Sequence, residues 1–417
     1  MLTDNDIVCI SPTAWDDHWG TAQQIVSRLS KTNRVLVLEL PVSPLSPFSG
    51  AHKGTWMRQI RRWQQGQRQG ELPNVTIISP PPVLPLRYHK LTNYLTQRIL
   101  LACLESAMER MGYDNPFLIT FQVDSGALVR RIKARAKIFY CLDDASAWGR
   151  WWLPADKIRR REVELVKACD LVFATSRRLV SRLEKLGTPT YFNPNAADFE
   201  LFSQAQVAEP PKEVSALKRP VIGFVGMITP HSFDEDLMFW LAGRHPAWTF
   251  LVVGKKSGND PDLSRLKQLP NCVFVGFQSL DLLPIYLAGM HVCLLPRRQT
   301  EWVKSAFPVK FFEYLGAGKA VVATRTEELL PYQDLVYLSR DYPEFEQCLV
   351  KALEEDSAEL ISRRMALAKE NTWDERVTQF SKIVEAFLVE APMSADEWPP
   401  ELNDPRTYDR EGIEARD

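Results

Sequence analysis

The chain has 417 residues, of which 45% are hydrophobic and 25% are charged, and its formal net charge is -1. This length predicts two domains of about 200 residues each, and the balanced charge argues against nucleic-acid binding. The seven cysteines have no close CxxC spacing, and the acidic N-terminus lacks the basic and apolar regions of a signal peptide. No apolar segment approaches the roughly 20 residues that span a bilayer, so we expect a protein that is soluble or at most attached to a membrane surface. The scattered cysteines fit a reducing cytoplasm, so a cytoplasmic location is expected.

Short apolar runs alternate with amphipathic stretches along the chain. Strands are predicted at 7–11, 34–40 and 75–79 and from residues 117, 137 and 171, with helices near 20–30 and 90–111. After the polar stretch 204–219, the alternation restarts in PVIGFVG, TFLVVG, CVFVGF and HVCLLP. This alternation is typical of βαβ units. We therefore predict an α/β protein in which two Rossmann-like domains face each other across a cleft.

The predicted organisation has five parts. They are an N-terminal domain (1–203), a linker (204–219), a C-terminal domain (220–371), an amphipathic helix (372–390) and a poorly ordered, proline-rich acidic tail (391–417).

The segment 53–69, KGTWMRQIRRWQQGQRQ, carries five basic residues and no acidic one, with apolar side chains at helical spacing. Two interpretations remain open. The helix could lie on an anionic membrane surface at the inner face of the membrane, or it could pack its apolar stripe on the domain.

The segment 305–324, SAFPVKFFEYLGAGKAVVAT, predicts a short helix followed by a strand. Pro308 suits the first helical position, which sets the helix start near Phe307. Lys310 then lies in the first turn, and Glu313 shares its helix face. Such a face can bind a diphosphate and a ribose diol. The alternative is a surface ion pair that contributes about 0.2 to 0.5 kcal/mol.

The same segment is similar to the donor site of GT-B glycosyltransferases of the family 4 type, the glycosyl transferases group 1. Five further segments resemble this family in the same order: NAADFELF, PVIGFVGMI, HPAWTFLVVG, LPNCVFVGFQSLDLLPIYLAGMHVCLLP and ENTWDERVTQF. The resemblance implies that residues 1–203 bind the acceptor, that 220–371 bind the donor, and that the final helix returns to the N-terminal domain.

The resemblance also implies a retaining, metal-independent hexosyltransferase. It would move a sugar from a nucleotide-diphosphate co-substrate to a hydroxyl of a glycan, lipid-linked or small-molecule acceptor, in polysaccharide or glycoconjugate biosynthesis. No other cofactor is expected. The alternatives are a nucleotide-sugar epimerase and a non-catalytic relative that binds a partner. The DxD-like triplets at 4–6, 234–236 and 260–262 fit helix caps or loops better than metal ligands.

The resemblance to the family implies the following site residues, assigned position by position. The donor-binding residues are Gly226, Met227, Gly276, Phe277, Ser305, Pro308, Val309, Lys310 and Glu313. The catalytic residues are Lys310, Glu313 and Asp144, and the acceptor-side residues are His18, Trp19, Gly20 and Asp143. Two alternatives stay open: one of the two aspartates could cap the following segment, and His18 could be a solvated loop residue.

Two departures from the family pattern affect this assignment. Ser305 stands where a second glutamate is common, and Met227-Ile228-Thr229 replaces an arginine and lysine pair. Lys310 thus becomes the leading candidate for neutralising the charge of the leaving group. Three other basic residues are further candidates for this role: Lys255, Arg297 and Arg298.

Overall fold

The computed structural model describes residues 1–15, 19–39, 53–81, 90–148, 154–256 and 263–389. His18, all three residues of the triplet at 260–262 and the predicted tail 391–417 lie outside these ranges, so the predictions for them stay untested.

Fourteen strands are present in the described residues. They are β1 (Asp6–Ile10), β2 (Arg34–Leu38), β3 (Gln67–Gln69), β4 (Val75–Ile78), β5 (Phe117–Thr120), β6 (Ala136–Cys141), β7 (Leu171–Ala174), β8 (Thr190–Phe192), β9 (Val221–Val225), β10 (Thr249–Val253), β11 (Cys272–Gly276), β12 (Val292–Leu295), β13 (Ala320–Thr324) and β14 (Tyr337–Ser339).

Eight α-helices lie in the first half of the described chain. They are α1 (Thr21–Leu29), α2 (Lys53–Gln65), α3 (Lys90–Met111), α4 (Gly126–Arg131), α5 (Ala155–Val166), α6 (Arg177–Leu183), α7 (Phe199–Phe202) and α8 (Lys212–Ser215). Eight more follow: α9 (Glu235–Arg244), α10 (Ser264–Lys267), α11 (Leu283–Ala288), α12 (Glu301–Lys304), α13 (Lys310–Gly316), α14 (Tyr342–Glu354), α15 (Ala358–Glu370) and α16 (Trp373–Leu388). None of these helices is long and apolar enough to cross a membrane.

The strands form two sheets. The first has the order β3-β4-β2-β1-β5-β6-β7-β8 and the second has the order β11-β10-β9-β12-β13-β14. All pairings are parallel except that of β3 with β4, which is antiparallel. The predicted fold class, two Rossmann-like parallel sheets, is confirmed.

Each sheet is buried on both faces, as parallel sheets require. Along β1, Ile7 and Cys9 belong to one apolar cluster and Val8 and Ile10 to another, because successive side chains point to opposite faces. In the second sheet, all five residues of β9 are buried. Because these strands are largely apolar, residues that could contact a ligand are expected in the loops at the carboxyl ends of the strands.

The final helix, α16, packs on the first sheet. Trp373, Val377, Phe380 and Val384 recur at helical spacing and lie in the same apolar cluster as Ile7. Thr372 also pairs with Ala197 in an isolated parallel bridge. The last of the described helices therefore contributes to the core of the N-terminal half.

The structure differs from the predicted elements in two places. Residues 67–69 are not helical but form β3, since α2 ends at Gln65 and Gly66 has a φ of 69° that favours glycine. The short helix near Pro308 begins at Lys310, two residues later than predicted. Pro308 instead precedes the helix and its carbonyl accepts a hydrogen bond from Phe311 N at 3.1 Å.

Candidate active site

Helix α13 lies against the carboxyl end of β9. The Tyr314 hydroxyl accepts a hydrogen bond from Val225 N at 2.8 Å and is 3.1 Å from Val225 O. Val225 is the last residue of β9, and the turn at Gly226 and Met227 follows it directly. Two sequence-predicted parts of the donor site, α13 and this turn, are therefore neighbours.

Lys310 and Glu313 form an ion pair on α13. Lys310 Nζ is 2.5 Å from Glu313 Oε2, and the two side chains are 23% and 5% exposed. The pair is therefore not the exposed surface pair of the alternative interpretation. Burial raises the pKa of Glu313, the Lys310 ammonium opposes this, and the Asp198 carboxylate adds to it. The hydrogen bond from Lys310 uses Oε2 of this carboxylate.

Backbone atoms at the ends of β9, β10 and β11 come very close together. A Cβ added at Gly254 would lie 1.8 Å from Gly226 O, so only glycine fits there. Gly226 N donates to Val253 O at 2.9 Å, and Gly254 N donates to Gly276 O at 2.7 Å. Gly276 itself has a φ of 76°. Glycine thus lets the chain segments pack closely at Gly226 and Gly254, whereas at Gly276 nothing lies within 4 Å of the Cβ position.

Two apolar side chains project from these turns. Phe277 is 60% exposed and Met227 is 41% exposed. Lys255 Nζ lies 5.1 Å from the centroid of the Phe277 ring, a distance typical of a cation–π contact. An exposed aromatic ring of this kind offers a stacking surface to a planar ligand group.

Hydrogen bonds connect the two halves of the chain beside α13. Ser176 Oγ donates to Ser305 O at 2.7 Å, and Asn195 Nδ2 donates to Phe307 O at 2.8 Å. Asn195 Oδ1 accepts from Thr21 Oγ1 at 2.8 Å. The loop before α13 is thereby held against the ends of strands from the first sheet.

Ser305 is buried, and its hydroxyl donates to Glu301 O at 2.8 Å within the turn that ends α12. Its side chain therefore completes a helix end, whereas its carbonyl meets Ser176. Of the other predicted donor residues, Pro308 is buried and Val309 is 37% exposed next to Lys310.

On the side of the first sheet, Gly20 precedes α1 as its N-cap, and its N–H donates to Gln23 Oε1 at 3.2 Å. Trp19 is 39% exposed and contacts Trp15 edge to face, with ring centroids 6.4 Å apart. The residues just before α1 thus present an exposed indole.

Asp144 takes the capping role that the sequence left open. Its Oδ1 accepts hydrogen bonds from Ser146 N at 3.0 Å and Ser146 Oγ at 2.5 Å, and Arg159 lies 3.2 Å from Oδ2. Burial alone would raise the pKa of Asp144, but Ser146, Arg182 and Arg159 outweigh it and lower that pKa. Both carboxylate oxygens of Asp144 thus already have partners within the protein.

Asp143 follows β6 at the edge that faces α12. Burial raises the pKa of the Asp143 carboxyl, contact with the Trp302 side chain opposes this, and the carboxylates of Asp144 and Glu162 add to it. Trp302 belongs to α12, so Asp143 lies where the two halves of the chain meet.

The two described DxD-like triplets have structural partners. Asp234 caps α9 by accepting from Leu237 N, and Asp236 pairs with Arg265 at 2.9 Å. Asp6 pairs with Arg34 at 2.7 Å. Within the described ranges, no group of three or more His, Cys, Asp or Glu residues is placed to hold a metal ion.

Sequence reasoning missed the hydrogen bonds of Ser176 and Asn195 with the loop before α13. Ser176 resembles an ordinary helix cap, and its hydroxyl does accept from Leu179 N at 3.2 Å. Asn195 begins the segment NAADFELF, whose resemblance to the family was the available signal. Its hydrogen-bond partners are distant in sequence, so they could not be read from that segment.

Comparisons with known proteins give a family match and a similar relative. The model of the family described as glycosyl transferases group 1 matches residues 219–355. TuaH of Bacillus subtilis, named for a glycosyltransferase of teichuronic acid biosynthesis, is 27% identical over 227 residues. That match covers 52% of this chain and 57% of TuaH, so it spans little more than half of the relative.

Solved structures resemble the whole two-sheet arrangement. Sucrose-phosphate synthase from Thermosynechococcus elongatus has a TM-score of 0.68 at 15% identity, covering 93% of this chain and 100% of that one. Anabaena HepE, solved with UDP and glucose, has a TM-score of 0.62 at 17% identity, covering 92% and 100%. These likenesses establish the fold, and the family match confirms the predicted resemblance. The chain is therefore similar, over residues 219–355, to the glycosyl transferases group 1, and it has the two-sheet fold of these solved structures.

Proposed function

We propose that this chain is a retaining glycosyltransferase that moves a hexose from a nucleoside diphosphate to an acceptor hydroxyl, without a metal. The acceptor would be a glycan, a lipid-linked sugar or a small molecule in polysaccharide or glycoconjugate biosynthesis. The observation that carries the proposal is the buried Lys310–Glu313 pair beside the turn at Gly226 and Met227.

The donor would lie along α13 and the adjoining turns. Glu313 Oε1 would accept hydrogen bonds from the ribose hydroxyls, while Oε2 stays with Lys310. Phe277 would stack on the base, and the backbone at Gly226 would approach the diphosphate. We propose uridine as the base, because HepE was solved with UDP and glucose.

In the proposed reaction, the bond between the anomeric carbon and the phosphate oxygen breaks as the acceptor oxygen attacks the same face. The proton of the acceptor hydroxyl passes to the departing phosphate oxygen, so no separate protein base is required. Lys310 stabilises the charge that develops on the phosphate. Asp143, Trp19 and Gly20 would orient the acceptor from the other side of the cleft.

Thermal unfolding in the presence of nucleotides tests the donor assignment. UDP at 100 times its dissociation constant is expected to stabilise the fold by about 2.7 kcal/mol, with smaller effects from GDP and ADP at the same concentration. UDP-sugars with candidate acceptors should then release UDP and yield a glycoside. No stabilisation by any nucleotide would favour the non-catalytic relative, and conversion of the sugar without an acceptor would favour the epimerase.

Helix α2 supports a further part of the proposal, contact with the inner face of the membrane. Met57 is 54% exposed and Trp63 is 46% exposed, which disfavours a helix that packs its whole apolar stripe on the domain. Arg61 is exposed, whereas Arg62 lies 3.9 Å from the buried carboxylate of Glu39. Arg61 and Trp63 are therefore the better probes of lipid contact.

Changing Arg61→Glu together with Trp63→Ser is expected to lower binding to vesicles of phosphatidylglycerol and phosphatidylcholine at least about tenfold. Each basic residue near an anionic surface contributes about 1 kcal/mol, and the indole adds apolar contact. Co-sedimentation measures the bound fraction. Lys133→Glu, an exposed position elsewhere on the domain, is the matched control. Equal binding of the parent and the double variant would remove the membrane proposal.

A further inference from the structure

Arg297 is fixed at the carboxyl edge of the second sheet, just after β12. Its N–H donates to Thr324 Oγ1 at 3.0 Å, at the end of β13. Its backbone also pairs with Phe233 in an isolated antiparallel bridge. Two neighbouring segments thus hold this residue, and the direction of its side chain is set by a rigid part of the fold.

The guanidinium of Arg297 has few partners for a charged group. Nη1 donates to Ala306 O at 3.1 Å, and the guanidinium carbon lies 5.5 Å from the centroid of the Trp302 ring. No carboxylate of the described residues forms an ion pair with it. Burial lowers the pKa of Arg297 to about 10, so it is still charged at neutral pH. A largely buried charge without a counter-ion is unfavourable unless a ligand supplies one.

The other basic groups near this edge are already engaged or exposed. Lys310 pairs with Glu313, Arg298 is 3.5 Å from Asp236, and Lys255 lies exposed over Phe277. Ala306, the partner of Arg297, is two residues before Pro308 in the loop that leads to α13. The uncompensated charge is therefore next to the proposed donor site.

We propose that Arg297 binds an anionic oxygen group of the sugar donor, through its planar, forked set of N–H donors. That group is either the diphosphate or a carboxylate on the transferred sugar, since a guanidinium binds both by the same chemistry. The assignment rests on the proposed function, because it requires a nucleotide sugar in the cleft. It gives this chain a cation in place of the arginine and lysine that Met227-Ile228-Thr229 lacks.

Calorimetry with uridine, UDP, UDP-glucose and UDP-glucuronic acid tests the assignment in the full chain and in Arg297→Gln and Arg297→Lys. If the diphosphate is the partner, Arg297→Gln should weaken UDP binding about 10- to 100-fold and leave uridine binding unchanged. If a sugar carboxylate is the partner, only UDP-glucuronic acid should lose affinity. Arg297→Lys should restore part of either loss, because it keeps the charge without the fork.

A purely structural role would weaken all four ligands alike and lower the melting temperature of the unliganded variant, and this result would overturn the proposal. So would affinities within twofold of the parent for every charged ligand in a folded Arg297→Gln variant. If the parent chain bound none of the ligands, the proposed function and this proposal would both fail. A parent that binds them and a variant that binds them equally would remove this proposal alone.

Discussion

Replacing Lys310 with alanine is expected to lower the rate of sugar transfer about 100- to 1000-fold, the effect of removing one preorganised group that stabilises developing charge. The ammonium is held at 2.5 Å from Glu313 and is mostly shielded from water, so its field on a departing phosphate is weakly screened. The rate of UDP release in the presence of acceptor measures the effect.

Removing Lys310 also deprives the buried Glu313 of its cation, so folding must be separated from chemistry. Lys310→Gln keeps a hydrogen-bond donor for Glu313 but removes the charge, and it should lose a comparable part of the rate while melting nearer to the parent. The matched control is Lys304→Ala. Lys304 and Glu301 form an exposed pair with the same spacing, 2.9 Å apart, which contributes about 0.2 to 0.5 kcal/mol. Parental rates in both Lys310 variants would refute the role.

Glu313→Gln is expected to weaken UDP binding about 10- to 100-fold, because hydrogen bonds to a charged group contribute about 1.5 to 3 kcal/mol each. The ribose can be tested directly by comparing UDP with 2′-deoxy-UDP and 3′-deoxy-UDP in calorimetry. In the parent, loss of a ribose hydroxyl should reduce affinity. In Glu313→Gln this difference should become much smaller, and an unchanged difference would show that another residue binds the ribose.

The pH dependence of UDP binding tests the role of Glu313 independently. Since burial raises the pKa of Glu313, with Lys310 opposing, the carboxylate becomes protonated at a higher pH than an exposed glutamate. UDP binding should therefore weaken as the pH falls through that raised pKa and be full above it. Glu313→Gln should lack this acidic limb.

Much of the fold could be predicted because the pattern is local. The apolar runs at β1, β5 and β9 are short, β-branched and separated by amphipathic helices, and parallel sheets follow from that alternation. The shared face of Lys310 and Glu313 followed from helix geometry alone. Their burial did not, since it depends on how α13 packs against the end of β9.

Contacts between residues distant in sequence were beyond prediction. Ser176 and Ser305 are 129 residues apart, and Asn195 and Phe307 are 112 apart, so no local pattern signals these hydrogen bonds. That no carboxylate of the described ranges pairs with Arg297 is likewise a property of the packed chain. The hydrogen bond between Ser146 and Asp144 is local in sequence. From the sequence alone, however, Asp143 was an equally good candidate for the capping role.

The most direct test of the central claim is a crystal structure of this chain with UDP. We expect the ribose hydroxyls within hydrogen-bond distance of Glu313 Oε1, with the diphosphate beside Lys310 and the turn at Gly226. A nucleotide bound elsewhere, or a ribose turned away from Glu313, would contradict the account.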